Sequence, residues 1–204
     1  MTHAQQLVAT IGIAVCWSGF VLVWVGGAAY NVAKGPRRAS WKMLPTSFVA
    51  IVVATAVVLV VVAHVVSASE WSHLQMDSLW STGLGLAILL VSTAFTFWAR
   101  VALGTMWSMD TVLRENHQLR TDGPYGITRN PIYTGLLGML VGSVLLAAVG
   151  SWILILPFAA VVFESKIHNE ERLMSATFPA EYARYRQHVP QLVPWVTWRL
   201  GPKP

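Results

Sequence analysis

The chain has 204 residues, of which 55% are hydrophobic and only 11% carry a charged side chain. Soluble domains contain about 25% charged residues, so this composition argues against a water-soluble protein and favours a single multi-pass membrane domain, 1–204. The net charge of +5 does not indicate nucleic-acid binding, because the lysines and arginines stand between apolar runs rather than on one polar surface. A lone cysteine, Cys16, excludes an intrachain disulfide and argues against a cysteine–histidine metal site.

Several apolar runs approach the length of about 20 residues that a helix needs to cross a membrane. We predict an all-α integral membrane protein with about five transmembrane helices, at residues 7–30, 47–67, 81–99, 131–149 and 152–163. Three spans thus fall in residues 1–99, and a long polar loop, the last two spans and a charged tail fall in 100–204. Only Gly150 and Ser151 separate the last two runs, which predicts a C-terminal helical hairpin. We expect the first run to be retained as a helix, because no basic segment of the signal-peptide type precedes it.

The loops between these runs alternate in charge. Residues 30–46 and 100–129 contain several lysines or arginines, whereas residues 67–78 contain only acidic charges. The segment 165–188 is again rich in basic residues and has helical spacing, which predicts a cytosolic tail helix. By the positive-inside rule, the N-terminus lies outside and the C-terminus lies in the cytoplasm.

The stretch "GPYGITRNPIYTGLLG" joins a polar turn to an apolar span without a break. Pro131 suits the first position of a helix, and the N–H groups of such a helix start can receive a carboxylate. Arg129 precedes that start, Tyr133 lies just inside the span, and Gly135 and Gly138 allow close approach of a neighbour or ligand. The alternative is structural: a positive-inside anchor, an aromatic-belt tyrosine and glycines for helix packing.

A second polar cluster, "ESKIHNEERL", follows the fifth apolar run. A carboxylate near the membrane surface is costly unless it is paired, so Glu170 and Glu171 are candidates for binding a cation, an amine or ribose hydroxyls. Adjacent helical residues point in different directions, and we expect one of the two to face inward. The alternative is a solvated helix with a Lys166–Glu170 pair.

The predicted hairpin brings these two clusters together, because the start of its first helix neighbours the end of its second. Arg129, Asn130, Tyr133, Glu170 and Glu171 can then line one pocket at the cytoplasmic interface. This mixed set of partners suits a zwitterionic ligand with a carboxylate, an amine and a ribose.

The pattern "HxLxTxGPYxxxRNPxYxG" at 117–135, followed by "NEERLMSATFPAEYARYRQHVPQLVP", resembles the isoprenylcysteine carboxyl methyltransferase family. These are small integral-membrane methyltransferases related to phospholipid N-methyltransferases. The upstream "RVALGTMWS" is also similar, so the resemblance covers 100–194. It implies S-adenosylmethionine bound on the cytosolic side and a tail, with Tyr182, Tyr185 and Arg186, that closes over it. The residues that it implies for cofactor binding are His117, Leu119, Tyr125, Arg129, Asn130, Pro131, Tyr133, Glu170 and Glu171.

Two positions depart from the family pattern. Asn130 stands where the family usually has histidine, which removes acid–base catalysis at this position. Pro179 replaces the usual glycine after the tail phenylalanine.

The resemblance implies methyl transfer to a lipophilic or lipidated acceptor that enters from the membrane. Arg129 or Arg186 would orient an acceptor carboxylate, whereas Glu170 or Glu171 would take the proton of an amine, thiol or hydroxyl. We expect no nucleic acid and no metal as partners. Two alternatives stay open: an NADPH-dependent sterol-type reductase, which needs a basic cluster for the 2′-phosphate, and a non-catalytic membrane scaffold.

Overall fold

The computed structural model describes residues 1–34, 71–104 and 119–193, and the regular structure within these ranges is helical. Three helical segments are long and apolar enough to cross a membrane, judged by length and composition: His3–Tyr30, Leu79–Leu103 and Gly150–Thr177. The chain is thus a multi-pass membrane protein. The predicted span at 47–67 lies outside the described residues. In chain order the helices are α1 (His3–Lys34), α2 (Leu79–Leu103), α3 (Pro124–Ile127), α4 (Pro131–Leu146), a 3-10 helix (Gly150–Leu154), α5 (Ile155–Thr177) and α6 (Pro179–His188).

Helix α4 is shorter than its predicted span and packs mainly against α2. Its 16 residues correspond to a length of about 24 Å at 1.5 Å per residue. A Cβ atom at Gly142 would lie 2.7 Å from the backbone N of Leu89 and 2.8 Å from the carbonyl oxygen of Gly85. Gly135 and Gly138 likewise face α2, so the neighbour whose close approach these glycines allow is helix α2. Small residues allow such close contact between helices in a membrane.

The connection between α4 and α5 is longer than the predicted Gly–Ser turn. Helix α4 ends at Leu146, and Ala148 and Val149 both have positive φ angles, of 60° and 62°. The N–H of Met76 donates to the carbonyl oxygen of Ala148 at 3.1 Å, so the segment before α2 holds this turn. The helical hairpin therefore forms, with a 3-10 turn as its link.

Helix α5 continues well past residue 163, where we predicted the fifth span to end. It runs from Ile155 to Thr177, so Glu170 and Glu171 lie on the same helix as the apolar segment. The helix stops at Phe178 because the residue before a proline is disfavoured in the helical conformation. Pro179 then opens α6 at its first position, so the proline in place of glycine marks the boundary between two helices.

Candidate active site at the start of α4

Pro131 opens α4, as predicted, and the residues before it are held by a segment that follows α6. We call residues 189–192 the C-terminal strap. The backbone N–H groups of Arg129 and Asn130 donate to two carbonyl oxygens of the strap at 2.8 and 3.2 Å. The hydroxyls of Thr128 and Thr134 donate to strap carbonyls at 2.8 and 2.6 Å. The strap and the start of α4 therefore form one hydrogen-bonded unit.

Arg129 and Glu171 form a nearly buried ion pair at this unit. The Arg129 Nε lies 3.0 Å from Glu171 Oε1, the Nη2 lies 3.3 Å from Oε2, and the side chains are 8% and 13% exposed. The remaining nitrogen, Nη1, donates to the carbonyl oxygen of Val189 at 2.7 Å. Because all three guanidinium nitrogens have partners within the protein, the geometry favours a supporting role for Arg129 over contact with an acceptor carboxylate.

Asn130 joins the same carboxylate to the strap. Its side-chain Nδ2 donates to Glu171 Oε1 at 3.2 Å and to the carbonyl oxygen of Gln191 at 3.2 Å. The residue is buried. The amide thus supplies hydrogen bonds at a position where the family pattern has histidine.

Glu170 faces the first turn of α4 rather than solvent. Its Oε1 accepts a hydrogen bond of 2.7 Å from the hydroxyl of Tyr133, whose ring centroid lies 5.4 Å from that of Phe163. We expected only one of the adjacent glutamates to point inward, and this was wrong. Both reach the start of α4, because Glu171 meets the residues before the helix while Glu170 meets a residue one turn inside it.

Helix α6 closes one side of the site through two buried tyrosines. The hydroxyl of Tyr185 donates to the carbonyl oxygen of Tyr125 at 2.6 Å. Burial raises the pKa of Tyr185, so this hydroxyl stays a donor at neutral pH. Tyr182 lies beside the Arg129–Glu171 pair, and burial raises its pKa as well.

Other predicted site residues are less closely involved. Arg186 is exposed. Its backbone carbonyl accepts a 3.4 Å hydrogen bond from Nη1 of Arg129. Leu119 is partly buried. His117 lies outside the described residues. Within the described ranges, no group of three or more His, Cys, Asp or Glu side chains gathers as a metal site would require.

Sequence reasoning gave no role to the strap or to the two threonines that bind it. A signal was present at Pro190, because the residue before a proline is biased towards extended backbone. Val189 adopts that conformation, with φ −117° and ψ 127°. The strap side chain of Gln191 also donates to both carboxylate oxygens of Glu164, at 3.2 and 3.0 Å.

Comparison with known proteins gives consistent results for the segment that holds this site. The family model described as the isoprenylcysteine carboxyl methyltransferase (ICMT) family matches residues 84–176, which extend from within α2 almost to the end of α5. The structure of a eukaryotic intramembrane Ras methyltransferase, ICMT, superposes with a TM-score of 0.62 at 16% identity, over 97% of this chain and 70% of that one. The two therefore share a fold.

Two curated relatives are similar in sequence. The cobalt-zinc-cadmium resistance protein CzcN of Cupriavidus metallidurans is 29% identical, over 70% of this chain and 64% of that protein. Protein-S-isoprenylcysteine O-methyltransferase B of Arabidopsis thaliana is 31% identical, over 57% of this chain and 61% of that protein. The chain thus spans less than two thirds of the length of either relative.

Proposed function

We propose that this chain, whose residues 84–176 match the isoprenylcysteine carboxyl methyltransferase family, transfers a methyl group from S-adenosylmethionine to a lipophilic acceptor. The preferred acceptor group is the carboxylate of an isoprenylcysteine-like lipid. The observation that carries the proposal is the Glu170–Tyr133 pair beside the Arg129–Glu171 ion pair, where apolar helices meet a polar turn. The family match favours methyl transfer over the sterol-type reductase and the scaffold.

The residues at the start of α4 fit a cationic cofactor. A carboxylate and aromatic rings attract a positive charge, through ion pairing and through the ring faces respectively. Glu170, Tyr133 and Phe163 supply this combination where the first turn of α4 meets α5. S-adenosylmethionine would supply a sulfonium-bound methyl group that needs no further activation. The protein's part is then to align the two reactants and to exclude water.

The two arginines that were predicted to orient the acceptor differ in availability. The guanidinium of Arg129 is bound to Glu171 and to a strap carbonyl, whereas Arg186 is exposed. We therefore assign contact with an acceptor carboxylate to Arg186. Methylation of a carboxylate requires no base. With an amine, thiol or hydroxyl acceptor, Glu170 is the group that would take the proton.

The basic loops support a C-terminus in the cytoplasm and an N-terminus outside. This orientation places the start of α4 and the strap at the cytosolic surface, where a water-soluble cofactor and a membrane-dissolved acceptor can meet.

Calorimetric titration of the purified chain with S-adenosylmethionine tests the cofactor assignment. Glu170→Gln removes the carboxylate, and Tyr133→Phe removes the hydroxyl that donates to it. A hydrogen bond to a charged group contributes about 1.5–3 kcal/mol, so we expect each variant to lose affinity by roughly ten- to hundredfold. Ser165→Ala is the matched control on α5, because its hydroxyl bonds, within the described part of the chain, only to the carbonyl of Val161 in its own helix. Absence of binding to the unaltered chain would refute the proposal.

The acceptor class is tested by incubation of the protein with labelled S-adenosylmethionine and one of three lipids. These are a prenylated cysteine with a free carboxylate, a fatty acid and an amine-bearing phospholipid. Mild base releases a methyl ester as methanol but leaves an N-methyl group in place, so the product identifies the chemistry. We expect base-labile label on the prenylated cysteine. Base-stable label on the phospholipid would overturn the carboxyl assignment.

A further inference from the structure

The side-chain amide of Asn130 connects two parts of the chain that are distant in sequence. One of its hydrogens points to the Glu171 carboxylate on α5 and the other to the carbonyl of Gln191 in the strap, each with a donor–acceptor distance of 3.2 Å. A primary amide carries two N–H bonds on one nitrogen, so both contacts can be made at once. The strap carbonyl also accepts from the Thr128 hydroxyl, but that donor does not touch the carboxylate. The Arg129 guanidinium also joins Glu171 to the strap, at the carbonyl of Val189, so the Asn130 amide is the second side chain that ties Glu171 to the strap.

We infer that Asn130 is a positioning residue: it fixes the Glu171 carboxylate against the C-terminal strap through two donors that need no proton from solution. An amide does not titrate, so this connection has the same strength throughout the physiological pH range. A histidine in this place would gain its second N–H donor only on protonation, so the connection would depend on pH.

The charged and titratable groups around Asn130 come from the segment before α4, from α5 and from α6. Burial raises the pKa of the two α6 tyrosines, which therefore stay neutral near neutral pH. His188 lies in the last turn of α6 and is exposed. The charged or titratable groups that face Asn130 or the strap in the described chain are Arg129, Glu164, Glu171, Tyr182, Tyr185 and His188.

Asn130→His tests the inference because its second donor appears only on protonation. A neutral imidazole has one N–H and can make one of the two bonds, whereas the imidazolium can make both. We expect the Glu171 carboxylate, as the direct hydrogen-bond acceptor, to raise the pKa of such a histidine in the folded state against the lowering effects of burial and of the Arg129 guanidinium. Its contribution is then fully present below about pH 6.5 and is lost as the pH rises through the higher folded pKa. Attachment of the strap should weaken about tenfold for each unit by which that pKa is raised.

Hydrogen exchange of the full chain in detergent micelles, without cofactor, reports on the strap directly. The amide protons of Arg129 and Asn130 bond to strap carbonyls, so their protection factors fall when the strap detaches. We compare about pH 5.5 with about pH 8, correct for the intrinsic exchange rate, and subtract the profile of the unaltered chain, which removes any pH dependence that does not come from the substitution.

We expect Asn130→His to lose protection at the higher pH by about tenfold relative to the lower one. Asn130→Ala should lose protection equally at both values, and Ser165→Ala should match the unaltered chain. Protection in Asn130→His that equals that of the unaltered chain at both pH values overturns the inference. If Asn130→His does not fold, Asn130→Ala provides the test. Protection in Asn130→Ala equal to that of the unaltered chain also overturns the inference.

A second measurement extends the inference to the cofactor, and this part rests on the proposed function. The affinity of Asn130→His for S-adenosylhomocysteine should fall from the lower to the higher pH by the same factor as the protection. Equal affinity of this variant and the unaltered chain at both values refutes a role in positioning the site, while the proposed function stands. If Asn130→His loses protection at the higher pH but the unaltered chain does not bind S-adenosylhomocysteine, the strap inference holds and the proposed function fails.

Discussion

Replacement of Glu171 by glutamine should destabilise the protein strongly although it preserves the shape of the side chain. The carboxylate accepts two hydrogen bonds from Arg129, at 3.0 and 3.3 Å, and one from Asn130 at 3.2 Å. Both ion-pair side chains are largely withdrawn from water, at 8% and 13% exposure. Removing one partner of a buried pair leaves an uncompensated charge, which costs about 3–5 kcal/mol. Glutamine retains one acceptor oxygen, so we expect the lower end, about 3 kcal/mol, against a total stability of about 5–15 kcal/mol.

A double-mutant cycle separates the ion pair from the other bonds of Arg129. Arg129→Met also loses the 2.7 Å bond to the carbonyl of Val189, so it should cost at least as much as Glu171→Gln. The double variant contains no buried unpaired charge, and its loss should be smaller than the sum by about 2 kcal/mol. Denaturant titration in mild detergent, followed by tryptophan fluorescence, measures each free energy of unfolding. Additive effects, or a Glu171→Gln variant within about 0.5 kcal/mol of the unaltered chain, would refute the reasoning.

Two further substitutions test the helix contact and the tail. Gly142→Ala places a Cβ atom 2.7 Å from the backbone N of a residue in α2, so the helices must separate, and we expect a loss of about 1–3 kcal/mol in the same titration. Gly83→Ala is its control, since a Cβ there meets none of the described residues within 4 Å, and equal losses in the two variants would contradict the contact. Tyr185→Phe removes the 2.6 Å bond to the carbonyl of Tyr125 and should lower stability by about 1–2 kcal/mol. Burial raises the pKa of Tyr185, so its bond contributes fully below the ordinary pKa of about 10 and is lost as the pH rises through the folded value. The difference between this variant and the unaltered chain should therefore be constant from about pH 6 to 9 and change only in stronger alkali, whereas a change near neutrality would contradict it.

The parts of the site that could be predicted are those that depend on local chemistry. Pro131 marks the start of α4 because proline suits the first helical position, and the short connection after Leu146 brings α5 back towards that start. The partner of α4 could not be predicted in this way. Its residues are apolar on all sides, so no periodic polar face distinguishes the side that meets α2 from the side that meets lipid.

The directions of the Glu170 and Glu171 side chains could not be predicted from their own short segment. They follow from the uninterrupted course of α5 to Thr177, whereas the hydropathy of the sequence suggested that the membrane segment ends at residue 163. The strap was missed for a related reason. It has neither helical nor strand periodicity, and its hydrogen bonds to the start of α4 are made by backbone carbonyls, which carry no signal in the residue types.

The shortness of α4 has a consequence for the lipid around it. A helix of about 24 Å falls short of a hydrocarbon layer of about 30 Å, and a bilayer adapts to such hydrophobic mismatch by local thinning. Phospholipid headgroups beside α4 would then dip towards the Arg129–Glu171 pair and the strap. Under the proposed function, an acceptor with a polar head and an apolar tail would reach this position by lateral diffusion, with its chain still dissolved in the membrane.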